Sequence, residues 1–511
     1  MSREYHGSAA QGMACITMRI LFVTAEFAPL VKTGGLGDVS AALPAALAEL
    51  GHDVRVLLPG YPAALDGARR KRAIAALAAP EFPPARILHG EAPSGCTLLL
   101  IDCPPLYRRG GDPYQDDDRR DWPDNALRFG LLGRAAALLC AGAADDDWRP
   151  DLLHCNDWHA ALAPVYLRSM LEPHTPSVLT VHNLAFQGIF PAQTAATLGL
   201  PDAAFSIDGV EYYGQLSFLK GGLSCADWLT TVSPTYAREI QGEAHGCGLD
   251  GLLRKRRDRL TGILNGIDTK AWDPATDPHL ARNYTRTAVR DKSANKRALQ
   301  RRMHLALEPG VPLFGAVGRL TGQKGSDLLC EIAPSIAALP AQLVVLGAGD
   351  LELERRLRSL ELEHRGRIAV RIGFDEPLAH LIEAGSDCFL MPSRFEPCGM
   401  NQMYSQRYGT PPVVHRTGGL ADAVTTCTAA TLASGKATGF TFLESTPESF
   451  LAAVKRAHRA CRDPRLMHAL QRNGMARDFG WKASAQRYAE IYDRLRRRRP
   501  STRARGGTAH R

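Results

Sequence analysis

The chain has 511 residues, 45% hydrophobic and 23% charged, a length beyond what one core usually serves, so two domains are expected. Its net charge of +9 sits mostly in residues 494–511, "RLRRRRPSTRARGGTAHR", with eight arginines and no acid; the near-neutral body argues against nucleic-acid binding. No apolar run nears the ~20 residues of a membrane helix, and the twelve cysteines lack a C-x-x-C pair, which fits a cytoplasmic protein with reduced thiols and no structural zinc.

Residues 1–17 have no apolar stretch long enough for a secretory signal and read as a disordered extension. Short apolar runs follow, with helical patterns between them: "RILFVT" (19–24), "VRVLLP" (54–59), "TLLLID" (97–102), "LLH" (152–154), "SVLTVH" (177–182) and "WLTTVS" (228–233). A second set comprises "LTGILN" (260–265), "LFGAVG" (313–318), "QLVVLG" (342–347), "RIAVRIG" (367–373), "CFLMPS" (388–393) and "PPVVH" (411–415). Runs that are apolar throughout fit parallel strands covered on both faces. The fold class is therefore α/β, with two doubly wound domains over 18–258 and 259–476. Trp481, Ala485, Tyr488, Tyr492 and Leu495 mark one apolar face of a closing helix over 477–498. Residues 499–511 read as a disordered Arg-rich tail.

Ligands in such domains bind beyond the carboxyl ends of the strands. Two similar turns stand there, "KTGGLGD" (Lys32–Asp38) and "RTGGLAD" (Arg416–Asp422). Paired glycines at a helix start let backbone amides approach an anion, although each turn alone is as readily explained by packing. Neither fits G-x-G-x-x-G, which weighs against an NAD-linked oxidoreductase. "GRLTGQKG" offers Arg319 and Lys324 on one loop, a pair suited to a diphosphate or simply to solvent. "RFEPCGMNQMY" sets Glu396 at the mouth of a helix, and "LLHCNDWHA" and "VLTVHNLAFQG" set Asp157, Trp158, His159 and His182 past two strands. Carboxylate, imidazole and indole together suit a sugar. No further carboxylate is spaced to complete a metal site with the histidines, and Asp116–Asp118 and Asp145–Asp147 read as solvated loops.

Taken in order, "KTGGLGDV", "DNALRFGLL", "RPDLLHCNDWHA", "TVHNLAFQG", "GQLSFLKGGL", "ADWLTTVSPTYAREI", "ILNGID", "GRLTGQKG", "PSRFEPCGMNQMY" and "RTGGLADAV" closely resemble bacterial glycogen synthases and plant starch synthases, which elongate α-1,4-glucan from ADP-glucose. The resemblance covers residues 18–495. It implies the GT-B fold, two Rossmann-like domains across a deep cleft, with the C-terminal helix crossing back to the first. It implies ADP-glucose and glycogen as substrates, retention of the α configuration, and no cofactor or metal.

By position, Arg319 and Lys324 match the cations on the diphosphate. Lys32, Gly34, Gly35 and Asp38 match the donor loop of the first domain; Thr417, Gly418 and Gly419 match amides on the distal phosphate. His182 matches the residue beside the glucose 6-hydroxyl, and Glu396 the active-site glutamate, with Cys398 and Gly399 next to it. Tyr114 and Asp157 fall on the glucan and glucosyl side, where Trp158 is the stacking candidate, and Asn265 falls on the interdomain face. Phe374 stands where many members have Tyr at the adenine-stacking position; Asp250 replaces a commoner Glu, and "GMNQMY" varies "GLTQLY". Two other readings stay open on sequence: a GT-B enzyme using UDP-glucose, and a non-catalytic glucan-binding regulator. Nothing in the chain sets an oligomeric state.

Overall fold

The computed structural model describes residues 17–144, 147–170 and 175–497. The expected N-terminal extension, apart from Thr17, and the Arg-rich tail lie outside the described residues, as do Asp145 and Asp146.

Nine strands form the first sheet, in the order Leu260–Gly262, Trp228–Thr231, Ser177–Val181, Leu152–Asn156, Arg19–Val23, Asp53–Pro59, Thr97–Asp102, Arg86–Glu91, Arg69–Ala76. The strands up to Thr97–Asp102 run parallel, as their continuous apolar character requires, and the last two add antiparallel at the edge. Those two carry "RRKR" and a short mixed run, so they give no apolar signal; charge on an exposed edge also blocks pairing with another chain. A small antiparallel sheet of Ile189–Pro191, Gln215–Ser217 and Glu211–Tyr212 sits beside it.

The second sheet runs Ile368–Ile372, Gln342–Gly347, Leu313–Val317, Cys388–Met391, Pro412–His415, Phe440–Phe442, all parallel. This is the Rossmann order, two halves diverging from a central pair. One boundary is corrected. Leu260–Gly262 pairs with Trp228–Thr231, so the expected strand "LTGILN" completes the first sheet, which extends to Gly262 rather than ending at 258.

The helix Trp481–Arg497 returns to the first domain. Trp481, Ala485, Tyr488, Tyr492 and Leu495 are all buried there, each large apolar side chain contributing roughly 1.5–3 kcal/mol. A hydrogen-bonded chain locks the docking: the Tyr492 hydroxyl meets His154 Nδ1 at 2.7 Å, His154 Nε2 meets Thr180 at 2.7 Å, and Thr180 meets Thr230 at 2.6 Å.

Candidate active site

The parallel strands of each sheet have one point where strand order reverses, and the loops leaving the two central strands diverge there to leave a crevice. In the first domain these loops follow Arg19–Val23 and Leu152–Asn156, so they leave the same end of the sheet, with Glu26 holding the Thr33 and Gly34 amides and acting on the Asp157 carboxyl. In the second they follow Leu313–Val317 and Cys388–Met391, which brings Lys324 beside Glu396, with Arg319 on the same loop as Lys324. The topology thus assembles residues that are far apart in the chain.

On the second-domain side, Lys324 Nζ lies 2.6 Å from Glu396 Oε2, and the Ser393 hydroxyl donates to the same oxygen at 3.0 Å. Glu396 is buried and Lys324 half-buried. Arg319 is exposed and makes no ion pair or side-chain hydrogen bond among the described residues, which leaves its guanidinium available to a ligand. Arg394 grips Asp327 through two bonds of 2.7 and 2.6 Å and fixes the loop carrying Glu396 against the 326–338 helix. Phe374 presents its ring to solvent at 87% exposure. Cys398 is buried, and desolvation pushes its thiol up to about 12, so it is no nucleophile. Asn265 is buried with its Oδ1 unpartnered among the described residues. Gly399 adopts φ +68° at the turn into the 401–407 helix, a conformation glycine allows without strain.

On the first-domain side, Asp157 begins its short helix at φ +58° and is buried. Desolvation raises its carboxyl to about 8, against the opposing pull of the Trp158, Asn183 and His182 amides. His182 Nε2 lies 3.1 Å from Asn156 Oδ1. Because the Asn156 amide nitrogen donates to the Val23 carbonyl, its Oδ1 accepts, and His182 is the Nε2–H tautomer with Nδ1 free to accept. Desolvation lowers His182 to about 3, so the imidazole is neutral at pH 7. Trp158 differs from expectation. It is wedged among Phe129, His159, Phe190 and Phe218, with Gly188 pressed against its ring, and so belongs to the aromatic packing. Tyr114 stacks on His159 and donates to Glu26 Oε1 at 2.5 Å.

The two glycine turns share a device that the sequence did not reveal. In the first, the Thr33 and Gly34 amides donate to Glu26 Oε2 at 2.7 and 3.0 Å. In the second, the Gly418 amide and Thr417 hydroxyl donate to both oxygens of Glu239, a first-domain residue, at 3.1 to 3.3 Å. Beyond that likeness they differ. Gly34 faces open space, whereas a Cβ on Gly418 or Gly419 would run into the carbonyl of Glu396 or Cys398. The expected phosphate cradle at Thr417–Gly419 is therefore filled: Gly419 N–H donates to the carbonyls of Glu396 and Pro397, and Gly418 N–H is held by Glu239. Lys32, by contrast, is exposed on the open lip and, among the described residues, pairs only with Asp38, at 2.8 Å. Burial raises the Asp38 carboxyl, against the pull of Lys32, and second-domain Glu376 and Asp268 raise it further, which places this loop opposite the second domain.

Glu26, Asn156, Ser393 and Glu239 were not picked out from sequence. Glu26 alone had a readable signal, an acid three residues past an apolar strand and ahead of a glycine turn.

Two Rossmann-like domains whose switch points face each other define a GT-B glycosyltransferase. The fold is that of the catalytic domain of starch synthase IV from Arabidopsis thaliana bound to ADP and acarbose, with a TM-score of 0.85 and 31% identity over 94% of this chain and all of that one. A sucrose-phosphate synthase from Thermosynechococcus elongatus shares the fold alone, with a TM-score of 0.58 and 18% identity over 94% and 99% of the chains. Residues 19–255 match the starch synthase catalytic domain and residues 301–476 the glycosyl transferases group 1 family. Glycogen synthases from Nitrosospira multiformis and Aromatoleum aromaticum are 55% and 56% identical, over 93% and 94% of this chain and 96% and 97% of theirs. The chain belongs to the glycogen synthase family.

Proposed function

We propose that the enzyme transfers glucose from ADP-glucose to the 4-hydroxyl at the non-reducing end of an α-1,4-glucan, with retention. The observation that carries this reading is the Lys324–Glu396 pair, with Arg319 exposed on the same loop as Lys324 and without an ion pair among the described residues. Arg319 and Lys324 take the diphosphate and stabilise its charge as the anomeric C–O bond breaks. Two side-chain cations in that place supply what a divalent ion supplies elsewhere, so the reaction proceeds with neither metal nor cofactor. Phe374 stacks on the adenine, and Lys32 closes over the phosphates from the opposite lip, excluding water.

Acceptor attack comes from the face the diphosphate leaves. The new bond forms between the anomeric carbon and the acceptor oxygen, and the acceptor proton passes to a phosphate oxygen of departing ADP. Neutral His182 sits by the sugar and adds no positive charge to an anomeric centre already developing one. Glu396 orients and stabilises rather than forming a covalent intermediate, because Lys324 and Ser393 already engage one of its oxygens. Tyr114 and Asp157 line the sugar side. Support for ADP over other nucleotides comes from the Arabidopsis neighbour, itself bound to ADP. Purified protein assayed with ADP-glucose and UDP-glucose side by side, on glycogen, tests the reading: preference for ADP-glucose is expected. Preference for UDP-glucose, or glucan binding without turnover, would overturn it.

A further inference from the structure

Two six-residue helices meet across the domain boundary, Pro234–Glu239 from the first domain and Gly418–Ala423 from the second. The first turn of a helix has amides with no partner inside the helix, and a carboxylate is favoured there. Each of these helices takes that carboxylate from the other. Glu239, at the end of the first, accepts from Gly418 N–H and Thr417 Oγ–H at the start of the second. Asp422, near the end of the second, accepts from Thr235 N–H at 2.8 Å and Thr235 Oγ–H at 2.7 Å at the start of the first. A third bond joins the same pieces, from the Ser233 hydroxyl to the Pro397 carbonyl at 2.7 Å. Arg238 donates to the Thr235 hydroxyl and steadies the Asp422 side.

We propose that Glu239 and Asp422 form a reciprocal clasp between the domains that positions the Glu396 loop for transfer. The route is short. Glu239 holds Gly418, the adjacent Gly419 amide donates to the Glu396 and Pro397 carbonyls at 3.0 and 3.2 Å, and both glycines sit too close to that loop for any side chain. The turn and the loop therefore move as one block, and the clasp sets where that block stands relative to the first domain. Glu239 and Asp422 are positioning residues with no contact to the reacting atoms.

The inference rests on the proposed transfer reaction and is tested by Glu239→Ala, Asp422→Ala, the double variant and Glu239→Gln. Misplacing a reacting group by about 1 Å costs up to ~100-fold, so each alanine variant is expected to lose about tenfold or more in kcat, with ADP affinity held within about twofold. The double variant is expected to lose about as much as the more impaired single and no more, since either change opens the clasp. Glu239→Gln keeps one acceptor oxygen and is expected to recover part of the rate; it also carries the test if the alanine variant does not fold. Small-angle scattering of the ligand-free proteins provides a readout independent of activity, with a larger radius of gyration expected for the alanine variants. Weakened ADP binding would overturn the clasp and make Glu239 a placeholder in a phosphate seat. A lower melting temperature with unchanged kcat per folded molecule and unchanged scattering would reduce it to ordinary packing. If the wild type does not use ADP-glucose, the transfer reading falls, and scattering still decides the clasp.

Discussion

Lys324 Nζ stands 2.6 Å from the Glu396 carboxylate, whose side chain is only 6% exposed. A carboxylate withdrawn from water this far needs its cation. In the proposed reaction the diphosphate would share that cation rather than recruit one from solvent, which would keep the reorganisation small.

Removing one partner should cost stability. Lys324→Ala leaves Glu396 with the Ser393 hydroxyl alone, and a destabilisation of about 1–3 kcal/mol is expected, below the fully buried case because Lys324 is partly exposed. Lys324→Met combined with Glu396→Gln should regain most of that loss without regaining activity. Thermal denaturation measures both; a double variant no more stable than the single contradicts the pairing.

The histidines around the first sheet predict the acid limb of stability. Desolvation lowers His154 and His182 to about 3 and His159 well below 6.5. All three stay neutral in the fold while the unfolded chain takes up protons below about 6.5, so stability is present above that pH and is lost as pH falls toward 3, each adding about 1.4 kcal/mol per pH unit. Asp157 acts in the opposite sense: its carboxyl, raised to about 8, contributes stability below the ordinary 3.8 that is lost as pH rises through 8. Asp157→Asn should therefore raise the melting temperature near pH 8 while lowering turnover. A His182 imidazole that titrates near 6.5 by NMR would contradict this depression.

Phe374 is exposed enough that its role can be separated from folding. Phe374→Ala should leave stability within about 0.5 kcal/mol yet weaken ADP binding about tenfold or more, since base stacking on an aromatic ring is worth ~1–3 kcal/mol. Phe374→Tyr should preserve binding. Calorimetric titration with ADP decides, and unchanged affinity in the alanine variant removes the stacking assignment.

Lys32 should separate closure from binding. Its one ion pair among the described residues is with Asp38, half-buried in the first turn of the following helix, and with Lys32 itself exposed the pair is worth little to stability. Lys32→Ala is expected to lower kcat with melting temperature unchanged and ADP affinity nearly so. Collapse of ADP binding would place Lys32 in the ground-state seat instead of the closing lip.

The sequence made some of this architecture visible and hid the rest for physical reasons. Gln342–Gly347 was read residue for residue because a strand covered on both faces must be apolar throughout. Arg69–Ala76 was invisible because an edge strand need not be, and "RRKR" resembles a loop. Leu260–Gly262 was recognised as a strand but given to the wrong sheet, since partner choice depends on long-range pairing that local pattern does not encode. Arg319, Lys324, His182 and Glu396 stood out through residue type at strand ends. Glu26 and Glu239 did not, because each gains its meaning only from the glycine turn that folding brings to it. Trp158 misled for a related reason: an indole beside an acid suits a sugar, but four aromatic neighbours claimed it.

Glucosyl transfer from ADP-glucose is assigned to the loops carrying Arg319, Lys324 and Glu396, facing the first domain. Its most direct test is transfer of labelled glucose from ADP-glucose to a short α-1,4-glucan by wild type, Lys324→Ala and Glu396→Ala at equal folded concentration, with the new linkage read by NMR. The account predicts an α-1,4 product from the wild type and a loss of roughly 100-fold or more in each variant. A β-linked product, or variants that turn over at the wild-type rate, would contradict it.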